Sequence, residues 1–240
     1  MPEKDPLSFE QLLNQIRSDL LLMAGLVDRS VSLALRSLFE RDDRLAETVE
    51  REDVPIDELE VKLDEAIVTY IATHQPVATD CRFMIVTTQI SSNLERIADL
   101  AVGIARRAKA LNREPQLKPY IDLPRMGNIV LDMIRGAIQC FIQKAPEEAL
   151  QIIRKDKEVD GIRNQLSREL VSFMIEDPAT ITRALHLLFI AHSLERMADH
   201  GKNIAEEVYY LYRAEDIRHR KELVEALAEG TVSPDKNVSI

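Results

Sequence analysis

The sequence predicts an all-α protein: two pseudo-symmetric antiparallel three-helix bundles built from six long helices. Three observations carry that expectation. Glycine is scarce, at 7 of 240 residues, aromatics make up 5% and charged residues 30%, a composition that favours helix. Apolar residues recur at helical spacing over long stretches. A seven-residue motif also occurs twice, as Asn93-Leu94-Glu95-Arg96-Ile97-Ala98-Asp99 and Ser193-Leu194-Glu195-Arg196-Met197-Ala198-Asp199. An internal repeat of this kind implies a repeated architecture.

The elements follow in order. Residues 1–7 hold two prolines and little pattern. Ser8 with Gln11 makes a capping-box start. A helix then runs to about Arg41, with Leu12, Ile16, Leu20, Met23, Val27, Val31, Leu35 and Leu38 on one stripe. Asp42-Asp43 reads as a turn and new N-cap. A second helical stretch covers about 43–73, and Pro55 predicts a kink or fresh start within it. It ends before Gln75-Pro76. A third helix runs from about 78 to 112. Phe83, Ile90, Ile97, Ile104 and Leu111 recur every seven residues along it, the pattern of a bundle seam.

Asn112 to Pro124 contains three prolines and reads as the linker. The pattern then repeats. One helix spans about Arg125 to Gln143, a second opens at Pro146 and runs to about Glu176, and a third spans about 180 to 214. The first bundle is therefore placed at 8–112 and the second at 119–216, with 217–240 as a flexible tail. Short turns make neighbours antiparallel.

The net charge of −10 and pI of about 5.1 argue against nucleic acid as a partner, because phosphate backbones need a basic surface. The basic clusters Arg106-Arg107 with Lys109, and Arg218 to Lys221, read as helix-end charges. The longest apolar run, Leu20 to Val27, falls short of a membrane span, and no secretory signal is visible. Cys81 and Cys140 form no CxxC and read as reduced thiols of a cytoplasmic protein.

Each repeat places a Glu and an Asp four residues apart, on one face of a helix. Taking about 100° per residue, Glu95 and Asp99 lie about 40° apart, on the side opposite the Ile97 seam. Glu195 and Asp199 stand in the same relation to Met197. The second helix of each half adds a further pair: Asp53 with Asp57, and Asp156 with Asp160. If the second and third helices are antiparallel, the two pairs of each half converge. Four carboxylates with no interposed cation repel, and a hard or borderline metal ion relieves that repulsion. The competing reading is a solvated acidic face, since roughly seven such pairs are expected by chance in so acidic a chain. Recurrence in both halves favours a site, on the outer or inter-bundle surface. Arg96 and Arg196 read as structural ion-pair partners, and His200, directly after Asp199, reads as an ordinary helix residue, with ligation at the site's edge as the lesser alternative. No Glu-x-x-His occurs, which disfavours a ferritin-like di-iron centre. Glycine-rich phosphate loops, zinc CxxC pairs and nucleophile elbows are also absent.

Two three-helix repeats, each with Leu-Glu-Arg-[Ile/Met]-Ala-Asp on its third helix, resemble the PhoU family over about residues 8–216. Gln75-Pro76 with Asp80-Cys81-Arg82, and Lys155 to Asp160, add to the match. Ala98 and Ala198 replace the family's usual glycine. His200 and Asn203 follow the second motif in the family pattern, whereas Leu100 and Gly103 follow the first, so the second site is ranked above the first. The resemblance implies a cytoplasmic, non-enzymatic negative regulator of phosphate uptake and of the phosphate-starvation response. As partners it implies the ATPase subunit of the phosphate ABC transporter and a sensor histidine kinase, with membrane association only through them. It also implies a homodimer and metal ions (Zn, Fe, Mg or Mn) at Glu195, Asp199, Glu95, Asp99, Asp156, Asp160, Asp53 and Asp57. Two alternatives stay open from the residues alone: a metal-dependent hydrolase or redox enzyme using the same carboxylates, and a metal-free helical scaffold.

Overall fold

A computed structural model describes residues 9–231. Its long helices are α1 (Phe9–Phe39), α2 (Asp43–Glu52), α3 (Val54–His74), α4 (Ala78–Asn112), α5 (Asp122–Gln143), α6 (Pro146–Glu176) and α7 (Ile181–Arg213), followed by a short α8 (Lys221–Ala228). No strand occurs among the described residues. Helices α1 to α4 form the first bundle, in which α2 and α3 together make one broken leg. Helices α5 to α7 form the second.

The breaks lie where local chemistry puts them. Asp42 caps α2, its carboxylate accepting from the Arg44 backbone N–H at 2.8 Å. Asp53 separates α2 from α3, with Pro55 in the first turn of α3, where the missing N–H costs nothing. Pro124 likewise sits in the first turn of α5, so that helix begins at Asp122, earlier than the proline run suggested. Gln75, Lys144 and Ala214 end α3, α5 and α7 in the left-handed conformation. Ser8, the expected cap of α1, lies outside the described residues.

The predicted seam is the core. Ile90, Ile97 and Ile104 of α4 and Met197 and Ile204 of α7 are fully buried, each such side chain contributing about 1.5–3 kcal/mol. Within the first bundle α1 and α4 run parallel: Arg17 covers the Phe83 ring at 4.9 Å, Ser91 donates to Met23 Sδ, and Asn112 reaches the Ser37 carbonyl. The bundles meet along α4 and α7, which cross antiparallel. Arg82 lies over Tyr210, Asn93 meets His200 and Arg107 covers Phe189 at 4.6 Å. This arrangement makes the repeat a pseudo-twofold, with the two Leu-Glu-Arg motifs flanking its centre. Helices α1 and α5 close the same interface, where Gly127 leaves room for Leu35: a Cβ there would meet Leu35 Cδ1 at 2.8 Å.

The expected tail is partly folded. Helix α8 packs on α6, burying Ile217, Val224 and Leu227. Glu225 pairs with Lys157 and Arg154, and Glu229 with Arg154. So few apolar residues carry no readable period, and contacts with α6 rather than local propensity order the segment. Residues 232–240 lie outside the described part.

Arg41 ties the first bundle's turn to its exit. Its guanidinium donates to the carbonyls of Asn112 and Glu114, each at 2.7 Å, and of Leu111 at 3.4 Å, satisfying carbonyls that the end of α4 leaves open. Arg41→Ala is expected to lower the unfolding free energy by about 1–2 kcal/mol, read as a reduced urea midpoint with an unchanged m-value. An unchanged midpoint would contradict this role.

Candidate functional site: two unequal carboxylate clusters

The second and third helices of each half do bring their acidic pairs together. In the first half, Asp53 at the start of α3 and Asp57 and Glu60 within it stand beside Glu95 and Asp99 of α4, close enough to perturb one another. In the second, Asp156 and Asp160 of α6 stand beside Glu195 and Asp199 of α7. All eight residues singled out in the sequence therefore fall into two clusters, and Glu60 joins the first.

The expected outward projection is only half right. The Glu95 side chain is 14% exposed and that of Glu195 20%, against 54% for Asp99 and 51% for Asp199. The side of α4 opposite the Ile97 seam faces α3 rather than water, and α6 covers α7 in the same way. Each glutamate is thus held in the crevice between two helices, and each aspartate stands at its rim.

Charge compensation differs sharply between the clusters. In the second, Lys202 Nζ lies 2.9 Å from Asp156 Oδ2 and 3.7 Å from Asp199 Oδ1. Arg163 Nη2 lies 3.9 Å from Glu195 Oε1. The expectation of carboxylates without an interposed cation therefore fails there. Burial works against the Lys202 ammonium, but its hydrogen bond to Asp156 and the nearby Asp199 charge prevail and raise its pKa. A cavity of about 180 Å³ opens beside this cluster, between α6, α7 and the α8 segment, with Asp156, Asp160, Lys202 and Glu206 among its walls.

The first cluster has no such cations. Val102 occupies the place of Lys202, and Glu60 that of Arg163. Its near cations are Arg96, 3.2 Å from Glu95 and 3.6 Å from Asp99 in the structural pairing expected of it, and Arg106, which pairs with Glu50 and bears on Asp53. Their side chains are 58% and 69% exposed, so they compensate weakly. Glu95 Oε2 and Asp53 Oδ1 are buried without a hydrogen-bond partner, Arg96 being out of line for one. Burial and then the Asp99 charge push the Glu95 carboxyl up to about 7. Burial and like charges also raise Asp53, Asp57 and Glu60.

His200 is not at the edge of either carboxylate set. Its Nδ1 lies 2.9 Å from Asn93 Oδ1 across the α4–α7 interface, and Asn203 reaches the same oxygen at 3.4 Å. The two residues that favoured the second motif in the sequence thus serve the joint between bundles. Burial, then Arg196 and Arg96, lower the His200 pKa.

Donor chemistry fits a cation at the first cluster: five carboxylates, two of them with stranded buried oxygens. Among the described residues no three Asp, Glu, His or Cys side chains are already gathered as ligands, so a cation would have to draw the exposed Asp57 and Asp99 inward. Among the described residues no hydrogen bond holds the side chains of Asp57 or Glu60 against that movement. Glu60, Lys202 and Arg163 were missed in the sequence. Aligning the two halves would have exposed them, as Val102 against Lys202 and Glu60 against Arg163.

Glu95 also sets a pH dependence. Its folded pKa is raised above the ordinary 4.5, so the stability it contributes is complete below that value and is lost as pH rises through about 7. In EDTA, Glu95→Gln is expected to flatten the fall in urea midpoint between about pH 5 and 8. A fall as steep as in the wild type would exclude Glu95 as its source.

The PhoU domain model matches residues 20–108 and 123–208, one match to each bundle. The phosphate-specific transport system accessory protein PhoU homolog of Pseudomonas putida is 39% identical over 212 residues, covering 88% of this chain and 83% of that protein. The Escherichia coli (strain K12) phosphate-specific transport system accessory protein PhoU is 34% identical over 211 residues, 88% of each chain. The crystal structure of PhoU from Pseudomonas aeruginosa superposes with a TM-score of 0.85 at 38% identity, over 87% of this chain and all of that one. The Streptococcus pneumoniae phosphate transport system regulatory protein PhoU gives 0.80 at 29% identity, over 87% of this chain and 99% of that one. The family match ends at residue 208, before α8. With both bundles matched and relatives of this identity aligned along most of their length, the chain belongs to the PhoU family.

Proposed function

We propose that the protein is a non-enzymatic negative regulator of phosphate uptake and of the phosphate-starvation response. It acts as an adaptor between the ATPase subunit of a phosphate ABC transporter and a sensor histidine kinase. The observation that carries this is the match of both bundles to proteins named as accessory or regulatory components of phosphate transport. An adaptor needs no catalytic constellation. No helix among the described residues is long and apolar enough to cross a membrane. Residence in the cytoplasm and assembly as a homodimer belong to the same reading.

Metal enters as a structural component. A divalent or iron-type cation at the first cluster would be held by carboxylates from Asp53, Asp57, Glu60, Glu95 and Asp99. It would supply the positive charge that this crevice lacks, pinning α3 to α4. Asp53 lies at the break between α2 and α3, so neutralising it also steadies the kinked leg and the surface that leg presents.

Deleting the gene in a strain carrying a phosphate-responsive reporter is expected to leave the reporter on in rich phosphate. Expression that stays low would exclude the regulatory role. Restoring the gene as Glu95→Gln/Asp99→Asn separates the metal's part: a protein that folds but fails to repress ties repression to the first cluster, and full repression makes the cluster dispensable.

A further inference from the structure

We propose that Lys202 is a built-in counter-ion that takes the place of a metal at the second cluster, so that this chain carries metal in its first half only. The metal half of this inference rests on the metal reading above; the counter-ion half does not. Four observations converge. The Lys202 ammonium bonds Asp156 at 2.9 Å and lies 3.7 Å from Asp199, bridging α6 to α7 across the position where a cation would have to sit. Its side chain is only 23% exposed and that of Asp156 15%, so neither charge is well served by water. Arg163 approaches Glu195 from α6. Asp53 and Glu95 in the first half each strand a buried carboxylate oxygen, whereas in the second cluster the buried atom without a partner is a donor, Arg163 Nε, and no carboxylate oxygen of Asp156, Asp160, Glu195 or Asp199 is so stranded.

The two halves therefore solve one electrostatic problem in different ways. Each packs carboxylates into a crevice between its second and third helices. The second half supplies two cations from its own sequence. The first half, with Val102 and Glu60 at the equivalent places, supplies neither and adds an acid. A divalent ion entering the second cluster would have to displace the ammonium from Asp156 and leave it in a crevice beside the arriving charge. Like charges at that range repel strongly in a poorly solvated site. The resulting asymmetry runs opposite to the one that His200 and Asn203 suggest in the sequence.

Two measurements on the full-length protein separate the parts. In EDTA, Lys202→Met removes the charge with little change in side-chain bulk and is expected to lower Tm by at least about 2–4 °C. Adding Asp156→Asn should recover at least half of that loss, because the stranded carboxylate goes with it. Additive losses in the double variant would overturn the counter-ion role. With manganese(II) or zinc(II) as the probe, equilibrium dialysis should show binding to the wild type that Glu95→Gln/Asp99→Asn abolishes. Glu195→Gln/Asp199→Asn should leave it intact, and Lys202→Met should add a second class of site. Wild-type binding that disappears with Glu195→Gln/Asp199→Asn would overturn the proposal. Absence of binding to the wild type would overturn the first-half metal site, while the Lys202–Asp156 coupling would still decide the counter-ion role.

Discussion

Half-buried carboxylates between helices need positive charge, and this requirement organises the molecule. The bundles are ordinary in their cores, where Ile, Leu, Met and Ala fill the space between helices. They are unusual along the crevices where α3 meets α4 and α6 meets α7. There, Glu95 and Glu195 are drawn into partial burial by the same packing that buries Ile97 and Met197 two residues on. A carboxylate in that position must be protonated, paired or metal-bound. Which of the three applies decides how firmly the second helix of each half is held.

The α4–α7 crossing couples the two crevices. Asn93 precedes Glu95 by two residues and contacts His200, which follows Asp199 directly. A change in the seating of either motif therefore reaches the other through one hydrogen-bonded contact. Arg82 on Tyr210 and Arg107 on Phe189 hold the two ends of the same crossing. In a regulator this geometry allows the charge state of one crevice to bear on the surface presented by the other bundle, without any large rearrangement of the cores.

Much of this was legible in the sequence, for physical reasons that also mark where legibility ends. The seven-residue recurrence from Phe83 to Leu111 reports burial directly, because α4 is packed along one stripe throughout its length. The Glu–Asp pairs were legible through their repetition. Their half-burial was not, because a helical wheel gives the direction of a side chain but not what lies opposite it. Lys202 was hidden for the same reason: its partner Asp156 lies on another helix, 46 residues away. Helix α8 was invisible because its order comes from Lys157 and Arg154 on α6 and from three apolar residues, not from a period of its own. The role of His200 was not legible because its partner Asn93 lies on α4, across the joint between the bundles.

The most direct test of the account is a crystal structure of the wild-type protein soaked in manganese(II) or zinc(II), with anomalous scattering collected at the edge of that metal. An anomalous peak is expected among Asp53, Asp57, Glu60, Glu95 and Asp99, with Lys202 still bonded to Asp156. A peak between Asp156 and Asp199, with Lys202 swung out into solvent, would contradict it.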